Sequence, residues 1–80
     1  MKNKLAKIIA KYSKQYDSVE LDQLNNFLAK FQKEVLKALG KKYEELSFGA
    51  QSVLGNSWIL IDTLKYKSIP EKWIEAVSRG

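Results

Sequence analysis

The chain has 80 residues, with 14 lysines and arginines against 9 aspartates and glutamates, and a formal net charge of +5. It contains neither cysteine nor histidine, which excludes disulfides, thiolate zinc sites, iron–sulfur clusters and catalytic triads built on imidazole. An apolar content of 45% predicts a folded chain, and the length predicts a single domain over residues 1–80. A lysine-rich composition without cysteine is typical of a cytoplasmic protein of bacterial or phage origin.

The excess positive charge lies at the start of the chain. Residues 1–16 carry five lysines and no acid, whereas residues 17–42 have a net charge of +1 and residues 43–80 a net charge of −1. The first segment has the apolar spacing of a helix over residues 3–16. Its lysines fall opposite the apolar stripe: Lys4, Lys7, Lys11 and Lys14. This row is either the solvated face of a surface helix or a site for an anionic membrane or nucleic acid.

The second predicted helix spans residues 18–39 and has the strongest periodicity in the chain. Its apolar residues recur at steps of three and four: Leu21, Leu24, Leu28, Phe31, Val35 and Ala38. Asp17 or Ser18 is the expected N-cap, with Glu20 completing a capping box. Gly40 is the expected C-terminal stop.

The third segment, residues 43–66, permits two interpretations. It fits one helix that tolerates Gly55, or a short helix that ends at Gly55 and a second helix capped by Ser57. The apolar run from Trp58 to Ile61 predicts burial or contact with a partner. Core packing is the expected role of Trp58, Trp73 and Phe31, with a binding hot spot for a partner as the alternative.

The last predicted helix spans residues 70–79. Pro70 suits the first helical position, where its missing N–H is not needed, and Glu71 suits the first turn. Trp73, Ile74 and Val77 form its expected inward face.

Residues arranged for catalysis are not found in the sequence. The serines and Thr63 have no histidine to activate them, and the adjacent Glu44 and Glu45 diverge on a helix. We therefore expect no enzyme activity, no cofactor and no metal site, which leaves binding as the function.

Residues 51–73 resemble the helix-turn-helix of phage Cro and repressor proteins. Leu54 and Gly55 stand at the motif's turn, and Ile61 and Leu64 at its apolar positions. The resemblance implies a DNA-binding regulator and DNA contacts from the second helix and the loop that follows it: Ser57, Thr63, Lys65 and Lys67. The segment's net charge is only +1, and phosphate neutralisation drives much of DNA affinity, so this is the second hypothesis.

The whole pattern resembles the immunity proteins that protect lactic acid bacteria from their own pediocin-like bacteriocins. The resemblance rests on three stretches: Leu21-x-x-Leu24-x-x-x-Leu28-x-x-Phe31, Tyr43-Glu44-Glu45-Leu46, and residues 64–73 leading into the last helix. It implies an antiparallel four-helix bundle, with helices at about 3–16, 18–39, 43–66 and 70–79.

This family resemblance also implies a function at the inner face of the membrane, without enzyme activity. The implied partner is a complex of the bacteriocin with its sugar-transporter receptor. Under this first hypothesis Lys4, Lys7, Lys11 and Lys14 bind that partner or the anionic membrane surface. A single helix through Gly55 would favour this hypothesis, whereas a sharp turn at Gly55 would favour DNA binding.

Overall fold

A computed structural model describes the backbone of residues 2–78 and the side chains of residues 3–75. Within this range the chain is all-helical, as predicted, and has no strand. The α-helices are α1 (Lys2–Tyr16), α2 (Leu24–Leu39), α3 (Phe48–Leu54), α4 (Ser57–Tyr66) and α5 (Glu71–Ser78). One turn of 3₁₀-helix precedes α2, at Leu21–Gln23, and another precedes α3, at Tyr43–Glu45.

An aromatic cluster connects α1, α2 and α5, and we define it as Tyr12, Phe27, Phe31 and Trp73. The Phe31 ring lies 5.3 Å from the Tyr12 ring and 6.1 Å from the Trp73 ring, measured between centroids. Phe31 and Trp73 are completely buried, which confirms their predicted core roles. Aromatic pairs at these distances contribute about 0.5–1.5 kcal/mol each beyond the burial of their area.

The remaining contacts complete one core. Helix α1 packs against α2 and α4, while α3 packs against α4 and α5. Leu5, Ile9 and Leu64 are almost completely buried, and the Ser13 hydroxyl donates a 2.6 Å hydrogen bond to the Leu64 carbonyl, which joins α1 to α4.

The start of α2 differs from the prediction. Asp17 and Ser18 do not cap it, because the Ser18 and Val19 N–H groups bond back to the last turn of α1. Glu20 is extended, and α2 begins only at Leu24, after the 3₁₀ turn. The predicted end is confirmed, since Gly40 closes α2 in the left-handed conformation with a φ of 67°.

The single helix predicted over residues 43–66 is wrong, because the chain breaks at Gly55 and Asn56. The Asn56 side-chain oxygen accepts hydrogen bonds from the N–H groups of Trp58 and Ile59, at 3.0 and 3.4 Å. Asn56 therefore caps α4, where the alternative interpretation had expected Ser57. The Leu54 carbonyl, which a continuous helix would pair with the Trp58 N–H, instead accepts from the Gln32 side chain at 3.2 Å.

Gly55 is required at this break by the close approach of Tyr43. The Tyr43 hydroxyl donates a 2.9 Å hydrogen bond to the Gln51 carbonyl, in the last turn of α3. A Cβ atom built on Gly55 would lie 2.6 Å from that hydroxyl oxygen, closer than packed side chains tolerate.

Helix α5 begins one residue later than predicted, at Glu71, and the Trp73 N–H bonds to the Pro70 carbonyl. The indole nitrogen of Trp73 is buried without an acceptor among the described residues. The predicted inward side chain of Val77 and the predicted helix end at residue 79 lie outside the described residues.

Replacing Gly55 by alanine should destabilise the fold by about 1–3 kcal/mol, since the new methyl group overpacks against Tyr43. Urea unfolding followed by circular dichroism measures this change. Gly49→Ala is the matched control, because its Cβ would meet only the flexible Lys72 side chain, at 3.3 Å. In the first turn of α3 that change should be neutral or stabilising by up to about 1 kcal/mol.

Making Gly55→Ala in a Tyr43→Phe protein tests whether the Tyr43 hydroxyl causes the loss of stability. In a Tyr43→Phe protein the clashing oxygen is absent, so Gly55→Ala should cost less than it does in the natural chain. Equal costs in the two backgrounds, or equal effects of Gly55→Ala and Gly49→Ala, would contradict the packing described for this turn.

Candidate functional site

The four lysines that the sequence singled out on α1 are all exposed. Lys4, Lys7, Lys11 and Lys14 lie away from the buried stripe of this helix, as its periodicity predicted. The Lys11 ammonium lies 5.6 Å from the centre of the Tyr12 ring, a distance at which a cation is attracted to the ring face.

A second row of lysines, which the sequence analysis missed, lies on α2. Lys30, Lys33 and Lys37 are exposed and stand three and four residues apart, so they share one face of the helix. The net charge of +1 over residues 17–42 concealed this row, because most of the balancing acids lie ahead of α2. A helical projection of the lysines beside the apolar stripe would have revealed it.

Helices α1 and α2 bring the two rows together across a shared groove. Three cavities of about 420, 260 and 260 Å³ follow one another between these helices, and neighbouring cavities share lining residues. We call this surface the basic groove and define it by its six lysines: Lys4, Lys7, Lys11, Lys30, Lys33 and Lys37. Lys14 lines none of these cavities.

The positive charge of the basic groove is largely uncompensated. Glu20 and Glu34 are the acids that line its cavities. Within the described part of the chain none of the six lysines has a carboxylate within 4 Å; the ion pair that the structure shows is Lys72–Glu75, at 3.4 Å. Like charges held together repel one another and attract an anionic partner.

Tyr12 lies at the floor of the groove and lines two of its cavities, the one of about 420 Å³ and the one beside Lys33. Burial raises the pKa of its hydroxyl above the ordinary value, and the nearby Glu34 carboxylate raises it further. The hydroxyl therefore stays protonated at neutral pH and is able to donate a hydrogen bond to an anion.

Helix α4 presents a different surface. Trp58 is 78% exposed and Tyr66 is 75% exposed, so the predicted core role of Trp58 is wrong. Only one face of this short helix is buried, and Leu60, Thr63 and Leu64 occupy it. The break at Gly55 starts a new helix, and in that helix Trp58 falls outside the buried face.

The residues of the DNA-binding hypothesis are not all accessible. Ser57, Lys65 and Lys67 are exposed. Thr63 is only 4% exposed and its hydroxyl donates to the Ile59 carbonyl at 2.8 Å, so it does not reach a base edge. Six lysines gather on α1 and α2, far along the chain from this set.

The described residues include no helix with the length and apolar character needed to cross a membrane. They also include no group of three or more histidine, cysteine, aspartate or glutamate residues placed to hold a metal ion.

Comparison with known proteins does not identify a relative. No family model matches the chain, and no curated protein or solved structure matches it significantly.

Proposed function

We propose that this chain is a non-enzymatic bacteriocin immunity protein, which acts at the cytoplasmic face of the membrane by engaging anionic lipid and a protein complex there. The observation that carries the proposal is the basic groove. Six lysines without ion pairs in the described residues form one surface on α1 and α2, and this surface is separate from the helix that a DNA reader would use.

The electrostatics of the groove support a peripheral membrane site. A lysine close to an anionic membrane surface contributes about 1 kcal/mol to binding, so several lysines on one side of a small protein give substantial attraction. The exposed aromatic rings lie on the 3₁₀ turn before α3, on α3 and on α4, and none of them lines the cavities of the groove. Attraction of charge rather than insertion into the bilayer is therefore the mode that the groove favours.

The proposal includes the family's bundle as a finer architecture. Helices α3 and α4 together would occupy the position of the third helix of an antiparallel four-helix bundle, with the Gly55–Asn56 break as an interruption. Helices α1, α2 and α5 would supply the other three. The packing of α1 on α2 and α4, and of α3 on α5, supports this arrangement.

The test compares two variants that lose equal charge. Lys7→Gln with Lys37→Gln removes two groove lysines, and should weaken binding to vesicles containing phosphatidylglycerol by about 30-fold, from about 1 kcal/mol per lysine. Lys65→Gln with Lys67→Gln removes the same charge from the end of α4 and should have little effect. Vesicle co-sedimentation measures both, and circular dichroism checks the fold.

The biological readout is protection of a sensitive lactic acid bacterium. Expression of the natural chain should raise the concentration of at least one pediocin-like bacteriocin that is needed to stop growth, and the groove variant should protect less. Absence of protection against a panel of these bacteriocins would refute the immunity function, whatever the vesicles show.

A DNA-binding regulator is the second candidate, and the break at Gly55 favours it. The short α3, the turn and the ten residues of α4 follow one another as the helix-turn-helix resemblance predicted. Three features weigh against it. Thr63 is buried, the exposed Asp62 on α4 would repel the DNA phosphates, and the large apolar Trp58 would face the groove of the DNA.

Gel-shift titration with duplex DNA separates the two candidate functions. It uses the same two variants: Lys7→Gln with Lys37→Gln, the groove variant, and Lys65→Gln with Lys67→Gln, the α4 variant. We expect any duplex binding at low salt to be weakened by the groove variant and unchanged by the α4 variant, because the charge lies on α1 and α2. If instead the α4 variant weakens DNA binding and the groove variant does not, DNA binding would be the function. The slope of log affinity against log salt concentration should then fall by about one for each lysine lost from α4.

A further inference from the structure

The outer face of α4 carries a carboxylate between two aromatic rings. Trp58, Asp62 and Tyr66 follow one another at steps of four residues, so they lie along one side of the helix about 6 Å apart. We call these three residues the aromatic face. Helix α4 is rigidly placed there, because Asn56 caps its start and the Leu64 carbonyl accepts a hydrogen bond from Ser13 of α1.

These three side chains are available to a ligand. Trp58 and Tyr66 are more than 70% exposed, and large rings exposed to this degree on one helix are typical of partner contacts. The Asp62 carboxylate accepts no hydrogen bond and forms no ion pair within residues 3–75, although Lys65 stands one turn further along the helix.

A shallow cavity of about 250 Å³ opens beside the aromatic face. Asp62 and Tyr66 line it together with Ile59, Thr63, Ser68 and Pro70. Ile59 and Pro70 are half-buried and Thr63 is buried with its hydroxyl already bonded to the backbone. The lining of this cavity is therefore largely apolar, with one carboxylate at its edge.

We propose that the aromatic face and this cavity bind an arginine or lysine side chain on a cationic segment of a partner protein. The aliphatic stem of such a side chain would cover Ile59 and Pro70, as long basic side chains cover apolar surface elsewhere. Its charged head would pair with Asp62 and stack on the Tyr66 or Trp58 ring. Arginine suits the site better, since its planar guanidinium stacks and bonds a carboxylate at the same time.

The Asp62 carboxylate favours a cationic occupant, and the exposed Lys65 and Lys67 at the end of α4 do not line the cavity. An anionic lipid or a nucleic acid would meet Asp62 with the wrong sign, and both are drawn to the basic groove on α1 and α2 instead. The molecule would then hold two sites of opposite preference on different helices. This second site goes beyond the proposed function and stands or fails independently of it.

Two-dimensional nitrogen–proton NMR tests the site, because the chain has two tryptophans in contrasting positions. The indole signal of exposed Trp58 should move in a saturable manner on addition of an oligoarginine peptide, while that of buried Trp73 stays in place. The oligocitrulline peptide of equal length, which is uncharged, should leave both signals in place. The groove variant, Lys7→Gln with Lys37→Gln, should bind the oligoarginine peptide as the natural chain does.

Matched variants assign the interaction to single groups. Asp62→Asn should weaken peptide binding by about two- to fivefold, the range expected for one exposed ion pair, whereas Glu44→Gln changes the net charge equally at another exposed site and should have no effect. Tyr66→Leu should also weaken binding, and Phe48→Leu, which removes an exposed ring from α3, should not.

Three results would overturn the proposal: an immobile Trp58 signal, equal affinity of Asp62→Asn and the natural chain, or equal shifts with both peptides. A Trp58 shift that depends on protein concentration without peptide would assign the face to a second copy of the chain, and would also overturn it. Circular dichroism of each variant shows that the helices are retained.

Discussion

The packing of Phe31 between Tyr12 and Trp73 is the contact on which the rest of this molecule depends. It joins the first, second and last helices at the centre of a small core, in a chain that has no cysteine and therefore no disulfide to assist it. Because Tyr12 is fixed against α2 by Phe31 and Phe27, α1 lies along α2 with a defined rotation. That rotation sets the lysines of the two helices side by side, so the fold accepts charge repulsion in order to present a basic surface.

The interruption at Gly55 and Asn56 has a comparable effect on the other half of the chain. The Asn56 cap and the Tyr43 hydroxyl end one helix and start the next, and the new helix turns Trp58 and Tyr66 outward. The basic groove and the aromatic face are thus separate consequences of two local constraints. Under the two proposals, the basic groove would bind anions and the aromatic face a cationic side chain, so that the protein would engage a membrane and a protein partner together.

Much of this architecture could be predicted from local sequence. The α1 stripe, the Gly40 stop and the burial of Phe31 and Trp73 follow from spacing and from residue type. The break at Gly55 could not be predicted, because a glycine within an apolar pattern fits both a helix and a turn. Contacts from Tyr43 and Gln32, which lie 12 and 23 residues before Gly55, decide between them. Trp58 was misplaced for a different reason: its burial had been inferred from the apolar run Trp58–Ile61, and only one face of α4 is buried.

Only one of the two lysine rows of the basic groove was predicted from the sequence. One row of lysines was visible in the charge of residues 1–16, but the second row required the pairing of α1 with α2, which charge counted along the chain does not reveal. Hydrogen exchange with mass spectrometry, in the presence of phosphatidylglycerol vesicles, tests the central claim most directly. The account predicts slower exchange in residues 4–11 and 30–37 and unchanged exchange in residues 57–67. Protection confined to residues 57–67 would contradict it.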